Sequence, residues 1–228
     1  MGTINMPIVK DSLFIQYKLN EHRMSLLDGN IRLTQQQYYR NISGEVSDSL
    51  EGEQLISANE GQYKLLGNHS TYIWSCSVID GKQLYEIKKF TGYDFGLLIL
   101  EPEAFKAQVY ECLNNTPLLR EYAEIKFDRV TYTDKEYPMP ENKNKPLSRW
   151  TKPQCFKDEC EYRLCAHNVP TFEFIEQFHR TELHRVEKLY TPNEKVNHKE
   201  TSYRLVFNVA FDFDYKLYFF NGKDWCEE

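Results

Sequence analysis

Phe156-Lys157-Asp158-Glu159-Cys160-Glu161-Tyr162-Arg163-Leu164 is the stretch around which the chain can be read. As a strand it sends Glu159, Glu161 and Arg163 to one face and Cys160, Tyr162 and Leu164 to the other. Carboxylates two residues apart on one strand face sit about 6.5–7 Å apart at Cα. Such a pair suits either of two settings. One is a solvated sheet face, where Arg163 simply balances two glutamates. The other is a cleft, where a carboxylate is held ionised for chemistry.

The rest of the chain narrows the choice. It has 228 residues, 41% hydrophobic and 14% aromatic, ample for one substantial core. A net charge of −6 excludes a globally basic nucleic-acid footprint but leaves room for a local one. No N-terminal apolar stretch reads as a signal peptide, and no run approaches the ~18 apolar residues of a membrane span. Cys155, Cys160 and Cys165 recur every five residues, which matches no zinc-binding spacing. Six free thiols in a cytoplasmic protein are the expectation.

Along the chain, apolar and β-branched runs predict strands at 13–19, 31–33, 63–66 and 72–78, with a central strand, buried on both faces, at 94–100. Helical patterning is expected after Asn20, after Thr34, over 84–90 and from Pro102 onward. The last carries Phe105, Val109, Tyr110 and Leu113 on one stripe. Residues 123–132 alternate with one phase shift, and 170–190 read as a further helix. The segments 203–209 and 215–220 read as a closing hairpin. Residues 43–61 are poor in large apolar side chains and predict a mobile surface loop. Residues 137–153 are rich in proline and read as a linker or active-site loop. One α+β domain spanning 1–228 is the economical reading.

Three landmarks then stand in order: Tyr17-Lys18 on the first strand, Ser75-Cys76-Ser77 on an inner strand, and Glu159-Cys160-Glu161 on a late one. Ser75 and Ser77 share a face, with Trp74 and Cys76 on the other. In these landmarks the chain resembles the ADP-ribosyltransferase superfamily, whose arginine-class members carry Arg, then Ser-Thr-Ser, then Glu-x-Glu. It is similar, too, to a group of bacterial proteins sharing a Tyr-Lys or Tyr-Arg first strand and a Glu-x-Glu-Tyr-Arg-Leu ending. The resemblance covers about residues 13–166 as spaced landmarks. This chain departs from it by placing Lys18 where the superfamily has Arg or His, and a Lys lacks the bidentate fork of Arg.

The resemblance implies a single domain with a mixed or antiparallel split sheet flanked by helices. It also implies transfer of ADP-ribose from NAD to a protein or nucleic-acid acceptor by a bacterial toxin or phage-defence effector, with an antitoxin or inhibitor protein as a further partner. Glu161 would stabilise the oxocarbenium-like charge, and Glu159 would position or deprotonate the acceptor. Lys18 or Tyr17, with Ser75 and Ser77, would line the NAD site, and Phe156 would meet the acceptor. Two other functions suit the same residues: a non-catalytic binding module on this scaffold, and a hydrolase using Glu159 and Glu161. In the loop before the carboxylates, Lys143, Lys145, Arg149 and Lys152 read as a solvated charge run or as a guide for an anionic acceptor.

Overall fold

A computed structural model describes residues 11–36, 53–58, 61–66, 71–133, 150–170, 190–192 and 203–228. Its organising element is β5 (Tyr72–Ile79), an eight-residue strand of aromatic and β-branched residues interrupted by two serines. Along one edge β5 pairs antiparallel with β10 (Glu161–His167), setting Glu161 opposite Ser77 and Arg163 opposite Ser75. Its other edge is shared. β2 (Asn30–Gln35) takes its beginning, at Tyr72 and Ile73, and β1 (Ser12–Tyr17) takes its end, from Ser77 to Ile79. The sheet therefore divides around the middle of β5, where Ser75 lies.

Beyond β1 the sheet continues through β6 (Phe95–Ile99), β13 (Tyr215–Phe220) and β14 (Trp225–Glu227). Beyond β2 it continues through β12 (Tyr203–Asn208) and β11 (Tyr190–Pro192), while β7 (Glu124–Arg129) flanks β10. Every pairing in this main sheet is antiparallel, so the architecture is α+β with an antiparallel open sheet and few helices.

Period-two alternation sorts the two faces. Leu13 and Ile15 of β1, Trp74 and Cys76 of β5, Leu97 and Ile99 of β6 and Leu164 of β10 form one buried cluster. Phe105, Val109 and Leu113 of α2 (Pro102–Asn114) complete it, with Leu26 of α1 (Asn20–Leu27) and Leu119 of α3 (Pro117–Tyr122). Phe105 is fully enclosed, edge-on to Phe127 and Phe213. The opposite face carries Phe14, Ile79, Leu98 and Tyr218 in a smaller cluster, and next to it the polar side chains of β5 and β10. Gly96 allows this second cluster to close. A Cβ there would stand 2.5 Å from the Phe14 ring and 3.2 Å from Trp225.

Several expectations are corrected. Residues 84–90 form no helix: a 3-10 turn covers Leu84–Glu86 and the chain runs irregularly to Phe90. Within the predicted loop 43–61 the chain forms β3 (Glu53–Ala58), which pairs with β4 (Gly61–Leu66); residues 43–52 lie outside the described residues. β12 and β13 are both strands but do not pair with each other, since β12 joins β2 and β13 joins β6. Alternation along each strand is correct, but it carries no information about the partner. The predicted helices following Thr34 and over 170–190 fall almost wholly outside the described residues.

Inside the Pro-rich stretch, β9 (Thr151–Pro153) pairs in parallel with β8 (Thr131–Thr133), and residues 134–149 again lie outside the described residues. The phase shift expected in 123–132 falls at Val130, where the chain leaves β7 for β8.

Candidate functional site

β10 begins two residues later than a continuous strand over 159–164 requires. Residues Gln154–Glu159 form a 3-10 segment, and Cys160 takes a left-handed backbone with φ of 46° before the strand starts at Glu161. Ser77 donates its hydroxyl to the Glu159 carbonyl at 2.8 Å, and the Val78 amide donates to the Cys160 carbonyl at 2.8 Å. These two bonds tie the kink to β5. Glu159 and Glu161 thus share one side of the chain, as the sequence suggests, through a bent backbone rather than a pleat.

Glu161 is buried at 8% exposure, and the partners of its carboxylate come from three strands. Ser75, one step diagonally across the β5–β10 pair, donates to Oε1 at 2.5 Å. Arg163, two residues on along the same strand face, donates Nε to Oε1 at 2.6 Å and Nη2 to Oε2 at 3.2 Å. Lys152 of β9 brings Nζ to Oε2 at 2.8 Å. The Glu161 amide, at the start of the strand, donates to the Tyr132 hydroxyl at 2.8 Å. Burial pushes the Glu161 carboxyl up, but the Arg163 and Lys152 cations, by charge and by hydrogen bond, outweigh it and hold the group at about 2. It is an ionised carboxylate in a nearly dry setting.

Lys152 bridges both glutamates, since Nζ also lies 2.9 Å from Glu159 Oε2. Lys88 meets the other oxygen of Glu159 at 3.1 Å. Two carboxylates therefore stand among three cations, and the cluster carries one surplus positive charge. Phe156 lies over this group, with Lys152 Nζ 5.1 Å and Lys88 Nζ 5.9 Å from its ring centre. Tyr132, whose phenol is pushed well up, mainly by burial and further by the Glu161 and Glu159 charges, stays neutral. Beneath the sheet, burial first and the Glu161 charge second raise the Cys76 thiol well above its ordinary range.

The structure brings Ser75, Ser77, Glu159, Glu161 and Phe156 together. It sends the Tyr17-Lys18 landmark elsewhere. Tyr17 packs on the helix-covered core, and Lys18, exposed just past the end of β1, holds its ammonium 5.1 Å above the Tyr93 ring. Lys18 meets Tyr93, whereas the cations at the carboxylates are Lys88, Lys152 and Arg163.

Three participants escape the sequence reading. Lys152 sits in a segment whose prolines and lysines suggest a solvated loop, yet it is 8% exposed. The signal available is the Thr-Tyr-Thr run at 131–133, a strand in need of a partner. Lys88 falls in a segment patterned like a helix that does not form. Tyr132 reads only as part of an alternating run.

Among the described residues no group of His, Cys, Asp or Glu side chains is arranged to hold a metal ion, and no helix is long and apolar enough to cross a membrane. All six cysteines are free thiols. Comparison with protein-family models, with curated proteins and with solved structures gives no match to this chain.

Proposed function

We propose that the chain is an NAD-dependent ADP-ribosyltransferase acting inside the cell on a macromolecular acceptor, as a toxin or defence effector. The observation that carries this reading is the hydrogen bond from Ser75 to a buried, ionised Glu161 that Arg163 and Lys152 fix in place. Bound NAD supplies an anomeric carbon that gains positive charge as nicotinamide departs. A fixed carboxylate beside such a centre stabilises charge where it develops, with no reorganisation at the moment of reaction.

The residues present fit that ligand. Glu161 faces the ribose, oriented by Ser75 and Arg163. Glu159 positions the acceptor group or takes its proton, with Lys152 spacing the two carboxylates. The surplus cation of the cluster suits a diphosphate. Lys88, with 31% of its side chain exposed beside Glu159, is better placed for it than Lys18.

A second reading has its own observation. Both Glu161 oxygens are engaged by the chain's own cations, the arrangement of a binding module that holds an anion without turning it over. Incubation with a labelled NAD and a cell lysate separates the two. Transferase activity gives a labelled acceptor from the wild type and at least about a hundredfold less from Glu161→Gln, the usual scale for losing one electrostatic stabiliser. NAD binding without turnover by folded protein would establish the module instead. NAD consumption without a labelled acceptor would identify a glycohydrolase. In cells, growth arrest by the wild type and its absence with Glu161→Gln is the expected counterpart.

A further inference from the structure

Two neighbouring aromatic rings, with an ammonium group at each end, lead away from Glu159. Lys88 Nζ stands 4.9 Å from the centre of the Phe90 ring, the Phe90 and Tyr93 rings are 5.6 Å apart, and Lys18 Nζ closes the row 5.1 Å from Tyr93. Backbone bonds hold the segment in this shape. The Lys88 amide donates to the Asp158 carbonyl at 3.1 Å, and the Tyr93 amide donates to the Phe90 carbonyl at 3.1 Å. Gln16 pins it to β1 by donating to the Lys88 carbonyl at 2.7 Å and accepting from the Phe90 amide at 3.2 Å. Phe90 and Tyr93 are each half-buried, and Lys18 is exposed.

We infer that this row is a binding track for single-stranded nucleic acid, which, under the transferase reading on which its catalytic meaning rests, makes nucleic acid the acceptor. A pair of rings flanked by ammonium groups matches unpaired bases on a phosphate backbone: bases stack on rings, and the cations meet phosphates. An acidic peptide would use the two ammonium groups but gain nothing from the rings. A duplex keeps its bases stacked on one another and inaccessible to Phe90 and Tyr93. Acids stand nearby, with Asp94 on Lys89 at 3.0 Å and Glu159 on Lys88 at 3.1 Å. Both are already paired, and the chain's overall charge of −6 restricts attraction to this local row.

The test is fluorescence anisotropy, without NAD, using fluorescein-labelled DNA and RNA single strands of about 12 nucleotides. Phe90→Leu and Tyr93→Leu should each weaken binding about tenfold, the scale of losing one stacked base. Lys18→Glu, at an exposed position that leaves folding intact, should weaken it and lower the salt slope by about 0.7 for one phosphate contact. With NAD absent, so that Lys18 and Lys88 can each meet one phosphate of the strand, raising salt from about 50 to 200 mM should weaken wild-type binding about sevenfold. Tyr85→Ala, at a ring 68% exposed and outside the row, should change nothing.

The inference is overturned if no strand binds, if duplex of equal length binds as well, or if folded ring variants bind like the wild type. Competition by polyglutamate at equal charge would point to a protein partner instead and would overturn it too. Since NAD is absent throughout, failure of the transferase reading leaves this result unaffected, and the reverse holds as well.

Discussion

Replacing Glu161 by Gln should remove a defined portion of the protein's acid sensitivity. Arg163 and Lys152 lower the carboxyl from its ordinary 4.5 to about 2 in the folded chain. Each tenfold change in proton affinity is worth about 1.4 kcal/mol, so ionised Glu161 contributes about 3 kcal/mol of stability relative to its protonated form. The sign follows from a depressed folded value. The contribution is complete above the unfolded value of about 4.5 and is lost as pH falls towards 2, most of it by pH 2.5.

The amide introduced by Glu161→Gln cannot ionise, so the variant lacks this dependence. At pH 7 it should also be destabilised by about 3 kcal/mol or more, because two cations lose their counterion in a buried setting. Urea unfolding of both proteins from pH 7 down to about 2.5, compared at equal m values, gives the difference directly. Carboxylates outside this cluster titrate alike in both proteins and cancel. The gap between the two should shrink by about 2–3 kcal/mol across that range. A gap independent of pH would show that Glu161 is not the carboxylate held ionised by Arg163 and Lys152, and the site as described would be wrong.

Lys152→Met removes the ammonium that bridges both glutamates and should cost about 3 kcal/mol at pH 8. The loss should be smaller at pH 5, because Glu161 without this cation is less strongly depressed and takes up its proton at higher pH; thermal unfolding at the two pH values checks it. Gly96→Ala drives a methyl to 2.5 Å from the Phe14 ring and should destabilise by about 1–3 kcal/mol. Combining it with Phe14→Leu should cost less than the two separate effects added together, as a double-mutant cycle in urea will show.

Much of this architecture could be read from the residues. The strands expected at 13–19, 72–78 and 94–100 correspond to β1, β5 and β6, the first ending two residues early at Tyr17, and Pro102 marks the start of α2 because proline suits a first helical turn. The shared face of Ser75 and Ser77, and that of Glu161 and Arg163, follow from pleating alone. Pairing was less legible. β12 and β13 follow one another with turn residues between them, yet each joins a different end of the sheet, a choice made by nonlocal packing.

The site was half legible for the same reason. Glu161 and Ser75 announce themselves by type and spacing. Lys152 and Lys88 do not, because charge in a proline-rich or irregular segment reads as solvated until a strand pairing or a backbone bond turns it inward. Lys18 failed in the opposite way. It carries the expected charge at the expected place in the chain, but β1 ends at Tyr17 and the side chain follows the backbone out to Tyr93.

The left-handed backbone at Cys160 also restricts what can occupy the middle of the Glu-x-Glu triplet. A φ of 46° is open to Gly at no steric cost and to Asn or Asp with little, whereas a β-branched residue would be strained. Chains built on this geometry should therefore read Glu-Gly-Glu or Glu-Asn-Glu far more often than Glu-Val-Glu or Glu-Ile-Glu. A triplet with valine or isoleucine at its centre belongs to an unbroken strand and to a different arrangement of its carboxylates. The middle letter becomes a criterion for sorting true relatives from chance matches.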